Sequence, residues 1–345
     1  VPPPDQVRGV SRCHDAITRF IVAEVLTVKR YSGNQVKPIF RYLRSPHGAV
    51  APLRFDLHSH TTASDGHLSP CELVRRAAEK GVEVLAITDH DTLAGLDEAA
   101  ATIAAESLPL RLVSGVEIST GWEHHEIHVV GIGVAVDNAT LVAFLAEQGR
   151  RRRERAEEMG IRLEKCGIPG AYEGAKRLAG SGEVTRAHFA RYLVEVGVAD
   201  SMQKVFKKYL SRGNKGYVPA QWPEMAAAIA AIHAAGGRAV LAHPTRYDLS
   251  TKWLKRLLVA FKGAGGDAME ACLPQQSPSE RANLGQWAEE HELLISVGSD
   301  FHFSQPWLEL GRGLWLPKRG RPLWLAYPEL FGLTAADFAV ADATP

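Results

Sequence analysis

The sequence predicts an α/β protein in which seven short strands alternate with helices and one stretch is an inserted, mainly helical subdomain. Three observations predict it. From Arg54 onward, short apolar runs alternate with stretches of helical periodicity, the pattern of repeated strand–helix units. Between about 140 and 225 the rhythm lapses, and the chain reads as charged helix. The side chains best suited to hold metals sit at or beside the ends of the apolar runs, where the loops of several strands would meet.

The strand candidates are 54–58, 83–88, 110–116, 127–132, 239–243, 267–271 and 293–299. Ser69-Pro70-Cys71-Glu72 reads as a capping box with proline at the first helical position. Leu73, Val74, Ala77 and Ala78 then form the buried stripe of that helix, and Gly81 stops it. Ser277-Pro278-Ser279-Glu280 repeats the start signal before a helix ending near His291. As domains, this gives an extension (1–53), a first barrel part (54–140), the helical insertion (141–225), a second barrel part (226–318) and a tail (319–345). The chain begins with Val1 and its first methionine is Met159, so 1–53 reads as a loosely attached, disordered extension. The last ten or so residues read as loose too.

At 345 residues, 46% of them apolar and 23% charged, the chain can bury a substantial core. A net charge of +1 excludes a global attraction to nucleic acid or membrane, so any anion preference must be local. No apolar run approaches the roughly 20 residues of a membrane span. Cys13, Cys71, Cys166 and Cys272 are scattered without a C-x-x-C pair, which reads as reduced thiols in a cytoplasmic protein.

The chemistry is carried by six histidines and three carboxylates: His58, His60, Asp65, His90, Glu117, His128, His243, Asp300 and His302. Six of the seven strand candidates meet one of them. Buried polar groups need partners, and divalent metals satisfy imidazole and carboxylate together. A set of nitrogen and oxygen donors without thiolate suits Mn²⁺, Zn²⁺ or Fe²⁺. Alone, H-x-H is a weak signal, Asp89-His90-Asp91 could be a hydrogen-bonded loop and Ala242-His243-Pro244 a turn. Nine such residues at strand ends are hard to assign to independent structural tasks. His233, on an alanine-rich helix, reads as packed.

The set Asp56-Leu57-His58-Ser59-His60, Asp65-Gly66, Thr88-Asp89-His90-Asp91, Gly115-Val116-Glu117, His128, Ala242-His243-Pro244 and Ser299-Asp300-Phe301-His302 resembles the polymerase-and-histidinol-phosphatase (PHP) phosphoesterases. The resemblance covers about residues 54 to 318. It implies a distorted seven-stranded (β/α)7 barrel with three divalent ions, most simply Mn²⁺. It also implies the ligand sets: His58, His60, Glu117 and Asp300 for the first ion, Glu117, His128 and His243 for the second, Asp65, His90 and His302 for the third. Glu117, Asp300 and His243 would then act at the reacting centre, where an activated water attacks phosphorus.

The insertion resembles that of nucleoside 3′,5′-bisphosphate phosphatases and of a 5′→3′ exoribonuclease acting on short RNA and ribosomal RNA 5′ ends. Small nucleotides or short RNA are the implied substrates. Arg186, His188, Lys215 and Arg246 are the candidate phosphate contacts, and Tyr217 or Trp222 could stack a base. The run Arg150 to Arg155 reads as a solvated helix face, with RNA steering as its alternative. The stretch 201–215 carries five cations and no acid. Two rivals stand beside this reading: a histidinol-phosphate phosphatase, and a non-catalytic RNA-binding protein that keeps metals for folding. Composition carries no signal for a particular oligomeric state.

Overall fold

The computed structural model describes residues 53–334 and Asp337. The expectation of a disordered extension over 1–53 falls outside the described residues apart from Leu53. So does nearly all of the final stretch expected to be loose.

Seven strands form one sheet whose spatial order is the chain order. They are β1 (Phe55–Asp56), β2 (Val84–Ile87), β3 (Arg111–Trp122), β4 (His125–Ile132), β5 (Arg238–Leu241), β6 (Ala268–Cys272) and β7 (Leu294–Val297). The sheet curls until its two edges meet. The Leu57 amide donates to the Val297 carbonyl (3.1 Å), the Asp300 amide to His58 (2.9 Å) and the His60 amide to Phe301 (2.9 Å). The result is a nearly closed α/β barrel.

Its helices follow from local sequence. α1 (Pro70–Glu79) opens with the expected box: the Glu72 amide donates to Ser69 Oγ, and the Ser69 amide to the Glu72 carboxylate. Such a cap is worth about 1 kcal/mol. Leu73, Val74 and Ala77 are fully buried, packed with Leu85, Ile87 and Phe301. α2 (Leu96–Glu106) covers the next crossover.

The expected strand–helix alternation fails at β3 and β4. Those strands pair antiparallel, as do β4 and β5, whereas the other neighbours are parallel. Only Glu123 and His124 join β3 to β4. Two residues make a hairpin, whereas a parallel crossover needs a dozen or more. Both strands also run beyond their expected limits into this tip. Glu117 and His128 therefore lie inside a long hairpin, not at strand ends.

Between β4 and β5 the chain forms α3 (Ala139–Lys165), α4 (Ala171–Ala179), α5 (Arg186–Glu195) and α6 (Met202–Val205), then a π-helical run Phe206–Leu210 and α7 (Met225–Ala234). α3 to the π-helical run share their own core of Met159, Leu163, Phe189, Leu193 and Leu210. Gly174 permits the close approach of α4 to α5, since a β-carbon there would stand 2.2 Å from the Tyr192 ring. α8 (Thr251–Gly263) and α9 (Pro278–Glu290) follow β5 and β6. After β7, α10 (Leu323–Ala326) and a short 3₁₀ turn bring Trp324 and Phe331 against Phe55. The Phe55 and Trp324 rings stack at 4.2 Å.

Candidate metal centre and cavity

His58 and His60 lie two apart in extended chain, so both rings face the barrel mouth. Their Nε2 atoms are 3.1 Å apart. Glu117 Oε2 lies 3.3 Å from His58 Nε2, 3.2 Å from His60 Nε2 and 3.1 Å from His90 Nδ1. Its other oxygen is 2.9 Å from His128 Nδ1 and 3.0 Å from His243 Nε2. Asp300 Oδ1 is 3.4 and 3.2 Å from the same two nitrogens of His58 and His60. A little way off, Asp65 Oδ1 faces His302 Nε2 at 3.3 Å and His90 Nε2 at 3.9 Å.

The structure thus brings all nine candidates to one mouth of the barrel. Three groups have donor atoms within 4.8 Å of one another: His58, His60, Glu117 and Asp300; His60, Asp65, His90 and His302; and His90, Glu117 and His128. His243 touches Glu117 but stands outside these groups, and His90 takes the place expected for it beside His128.

Donors at these distances would normally hydrogen-bond. Yet His60 Nδ1, His90 Nδ1, His243 Nδ1, Asp65 Oδ1 and Glu117 Oε2 are buried with no hydrogen-bond partner among the described residues. Such orphaned groups are costly in an apolar interior and are the mark of a missing cation. The donor set, imidazole and carboxylate without thiolate, fits divalent transition ions.

Electrostatics point the same way. Burial opposes the charged form of Glu117, but the His90, His58 and His128 rings hold it well below the usual carboxylate range. Burial likewise disfavours the His60 cation, yet Asp300 and Glu117 push it up to about 10.

The surroundings hold the donors in place. His58 Nδ1 donates to Glu270 Oε1 at 2.7 Å, which turns the Nε2 lone pair toward the cluster. Glu270 Oε2 accepts the His243 amide at 2.6 Å. Asp89 accepts from the Thr61 amide and from the Thr61 and Ser64 hydroxyls, fixing the loop that carries Asp65. His243 (φ 27°) and Asp300 (φ 53°) adopt left-handed backbone that non-glycine residues rarely take. Gly298 is needed beside them, since a β-carbon would stand 2.3 Å from His58 Cβ.

Next to the metal cluster is an open cavity of about 140 Å³. Asp65, His90 and His128 form its barrel side, and Arg152, Arg155, Arg186 and Trp222 its insertion side. Glu126 accepts from both Arg155 (2.9 Å) and Arg186 (3.0 Å). Arg152 pairs with Asp91 and donates to Ser119 Oγ at 2.7 Å. The Arg152 and Arg155 guanidinium groups stand 5.2 and 5.4 Å from the Trp222 ring centre. The Trp222 Nε1 is buried without a partner among the described residues.

Several expectations need correction. Arg150 to Arg155 are not one solvated face: Arg152 is buried against Asp91, and Arg155 is largely enclosed by Glu126. His188 is spent on its own helix, where its Nδ1 accepts the Thr185 amide at 3.0 Å. Lys215 sits exposed on a turn and does not line the cavity. Arg186 does line it, and Arg246 reaches Asp300 at the mouth. His233 is paired with Asp267 at 2.7 Å, away from the centre.

Sequence reading gave no site role to Glu126, Asp91 or Glu270, and gave Arg152 only the RNA-steering alternative of its run. A signal existed for Arg152. The buried positions of α3 run Leu141, Leu145, Gln148, Arg152, Ala156, Met159 and Leu163, in steps of three and four. An arginine on that stripe must be paired inside.

The PHP domain family matches residues 56–218. The chain is 57% identical over 270 residues to the 5′-3′ exoribonuclease Rnm of Escherichia coli (strain K12), covering 78% of this chain and 92% of that one. It is 41% identical over 271 residues to a 3′,5′-nucleoside bisphosphate phosphatase of Chromobacterium violaceum, covering 78% and 94%. A solved structure from Chromobacterium violaceum, described as an amidohydrolase with bound sulfate and no metal, matches with a TM-score of 0.74. That match is at 39% identity and covers 85% of this chain and 100% of that one.

Proposed function

The chain belongs to the PHP domain family of phosphoesterases, and from that premise we propose that it removes nucleotides 5′→3′ from 5′-phosphorylated RNA, ribosomal RNA 5′ ends included. Nucleoside 3′,5′-bisphosphates are then its smallest substrates. The observation that carries this reading is the join between the donor cluster and a cavity walled by arginines. Relatives named for both activities support it.

Three divalent ions, Mn²⁺ by preference, suit the three donor groups. Bound there, such ions polarise a phosphoryl oxygen and bring the pKa of water toward neutrality. His58, His60 and Asp300 would hold one beside Glu117. Glu117 would also reach a second with His128 and His243, the latter touching Glu117 although outside those groups, and Asp65, His90 and His302 would hold the third.

The rest of the work falls to this chain's own side chains. Glu270 keeps His58 in a single tautomer and ties it to the backbone of His243. Tyr247 accepts the His128 amide at 2.9 Å and fixes the hairpin at the ligand position. Arg186, held by Glu126 at the cavity wall, is placed to meet a second phosphate on the substrate. Arg246 stands at the mouth against Asp300, where it can approach the phosphate to be cleaved. Among the described residues, the carboxylates lining the cavity are Asp65, in the donor cluster, and Glu126, which already serves two arginines, so an ammonium-bearing substrate is poorly matched there.

A substrate panel with Mn²⁺ tests this: a nucleoside 3′,5′-bisphosphate, dinucleotides with and without a 5′-phosphate, longer 5′-monophosphorylated RNA, and histidinol phosphate. The expected ranking places the 5′-phosphorylated nucleotides far above the rest. Preference for histidinol phosphate, or indifference to the 5′-phosphate, would overturn the assignment.

A further inference from the structure

We infer that the outer wall of the barrel, where the β3–β4 hairpin tip meets α8, is a binding track for the body of a single-stranded RNA whose 5′ end occupies the mouth. The inference rests on the RNA reading above and adds to it the surface that a nucleotide phosphatase would not need.

A shallow groove of about 380 Å³ lies there, lined by Trp122, Glu123, Lys252, Lys255, Arg256 and Val259. α8 carries Lys252, Lys255, Arg256 and Lys262 and no acid. Aromatic rings interleave with these cations. Trp253 meets Trp122 edge-on at 5.8 Å and His125 at 6.0 Å, and the Arg256 guanidinium covers the Trp253 ring at 4.2 Å. Val259 is 59% exposed in the same groove, unusual for a β-branched apolar side chain. On the far side of the tip, Arg212 reaches the His124 carbonyl at 3.5 Å, bringing up the acid-free stretch 201–215. The tip therefore receives cations from two segments, α8 and 201–215.

Acids are present too. Glu123 pairs with Arg256 at 2.9 Å and Glu290 with Lys255 at 3.2 Å, but both pairs are exposed. Exposed pairs are weak, and a phosphate can take the cation over. Backbone cations with interleaved rings are the chemistry that holds single strands, because unpaired bases offer their faces for stacking. A duplex would use only the cations.

The location suits the body of a bound chain. Side chains alternate along a strand, so Trp122, five residues past Glu117, points out of the barrel where Glu117 points in. At about 3.4 Å per residue it stands roughly 17 Å along the hairpin from the donor cluster. A strand leaving the mouth over the hairpin rim arrives in the groove.

The test uses the full chain in chelator and reads fluorescence anisotropy of a labelled 20-nucleotide single-stranded RNA, so that binding is scored without catalysis. The triple charge reversal Lys252→Glu, Lys255→Glu, Arg256→Glu should weaken binding at least about tenfold and flatten its salt dependence. Trp122→Leu, an independent and milder change, should weaken it about fivefold or more. With Mn²⁺, kcat/KM on 5′-monophosphorylated 20-mer should fall by similar factors relative to a 5′-phosphorylated dinucleotide. Unchanged RNA affinity in both variants overturns the track, as does an equal loss of affinity for a blunt duplex. RNA binding that depends on these residues in a protein that turns over no phosphate ester would instead overturn the catalytic reading and leave the track standing.

Discussion

The barrel mouth and the helical insertion both bury charge, and they treat it in opposite ways. At the mouth, donors crowd within 4.8 Å of one another, and several of their atoms have no hydrogen-bond partner among the described residues. In the insertion, buried or half-buried cations are matched to acids of the barrel: Arg152 to Asp91, and Arg155 and Arg186 to Glu126. The first arrangement is complete only with a ligand. In the second, these arginines are charge-matched as folded, and they set the shape of the cavity wall. The contrast separates residues left short of partners at the mouth from residues paired along the walls, though all are polar and many are buried.

Substitutions can break that contrast. The largest effect is expected at Glu117, which faces five histidines. Glu117→Ala should lower Mn²⁺-dependent turnover by about 10³-fold or more and reduce bound metal, with helical content unchanged by circular dichroism. Full metal content and turnover in this variant would mean that the cluster is not the metal centre. Arg152→Met should act the other way round. It leaves Asp91 buried and uncompensated, at a cost of about 3–5 kcal/mol in stability by denaturant unfolding. Metal content of the folded fraction should hold. Wild-type stability in Arg152→Met would remove the claim that this arginine braces the wall.

The smallest effect sharpens the insertion side alone. Burial, the largest influence on His188, pushes it down to about 4, against the pull of Asp65. Its folded pKa then lies below the unfolded value of 6.5, so its contribution is fully present above about 6.5 and fades as pH falls toward 4. His67 shifts in the same sense. His188→Gln keeps a cap acceptor without the titration. The loss of stability between pH 6.5 and 4 should be shallower by up to one proton, read from denaturant midpoints across that range. An identical slope in wild type and variant would show that His188 does not titrate with folding.

Much of the barrel and its donors was legible in the sequence, for a definite reason. A polar group placed at a strand end leaves a short apolar run followed by histidine or acid, as at His58, His90 and Asp300. Capping boxes at Ser69 and Ser277 are equally local signals, and both formed. The hairpin was not legible. Strands β3 and β4 grow into a stretch, Ile118 to Glu126, whose polar residues read as loop, because pairing across a two-residue tip satisfies the backbone there. Arg152 was obscured by its neighbours, since four successive arginines look like a solvated face until helical phase is counted. Glu270 sits inside an apolar strand with no motif around it. Only the fold carries it to His58, 212 positions away.

By itself, then, the sequence determined the strand–helix rhythm, the helix starts and the nine polar residues that meet at the mouth, because periodicity, capping and donor chemistry act over a few residues. The tertiary structure alone decided that β3 and β4 form a hairpin, that His90 as well as His243 stands against Glu117, and which arginines face the cavity. Those outcomes depend on distances between segments far apart in the chain, and on whether each buried charge finds its counter-charge there.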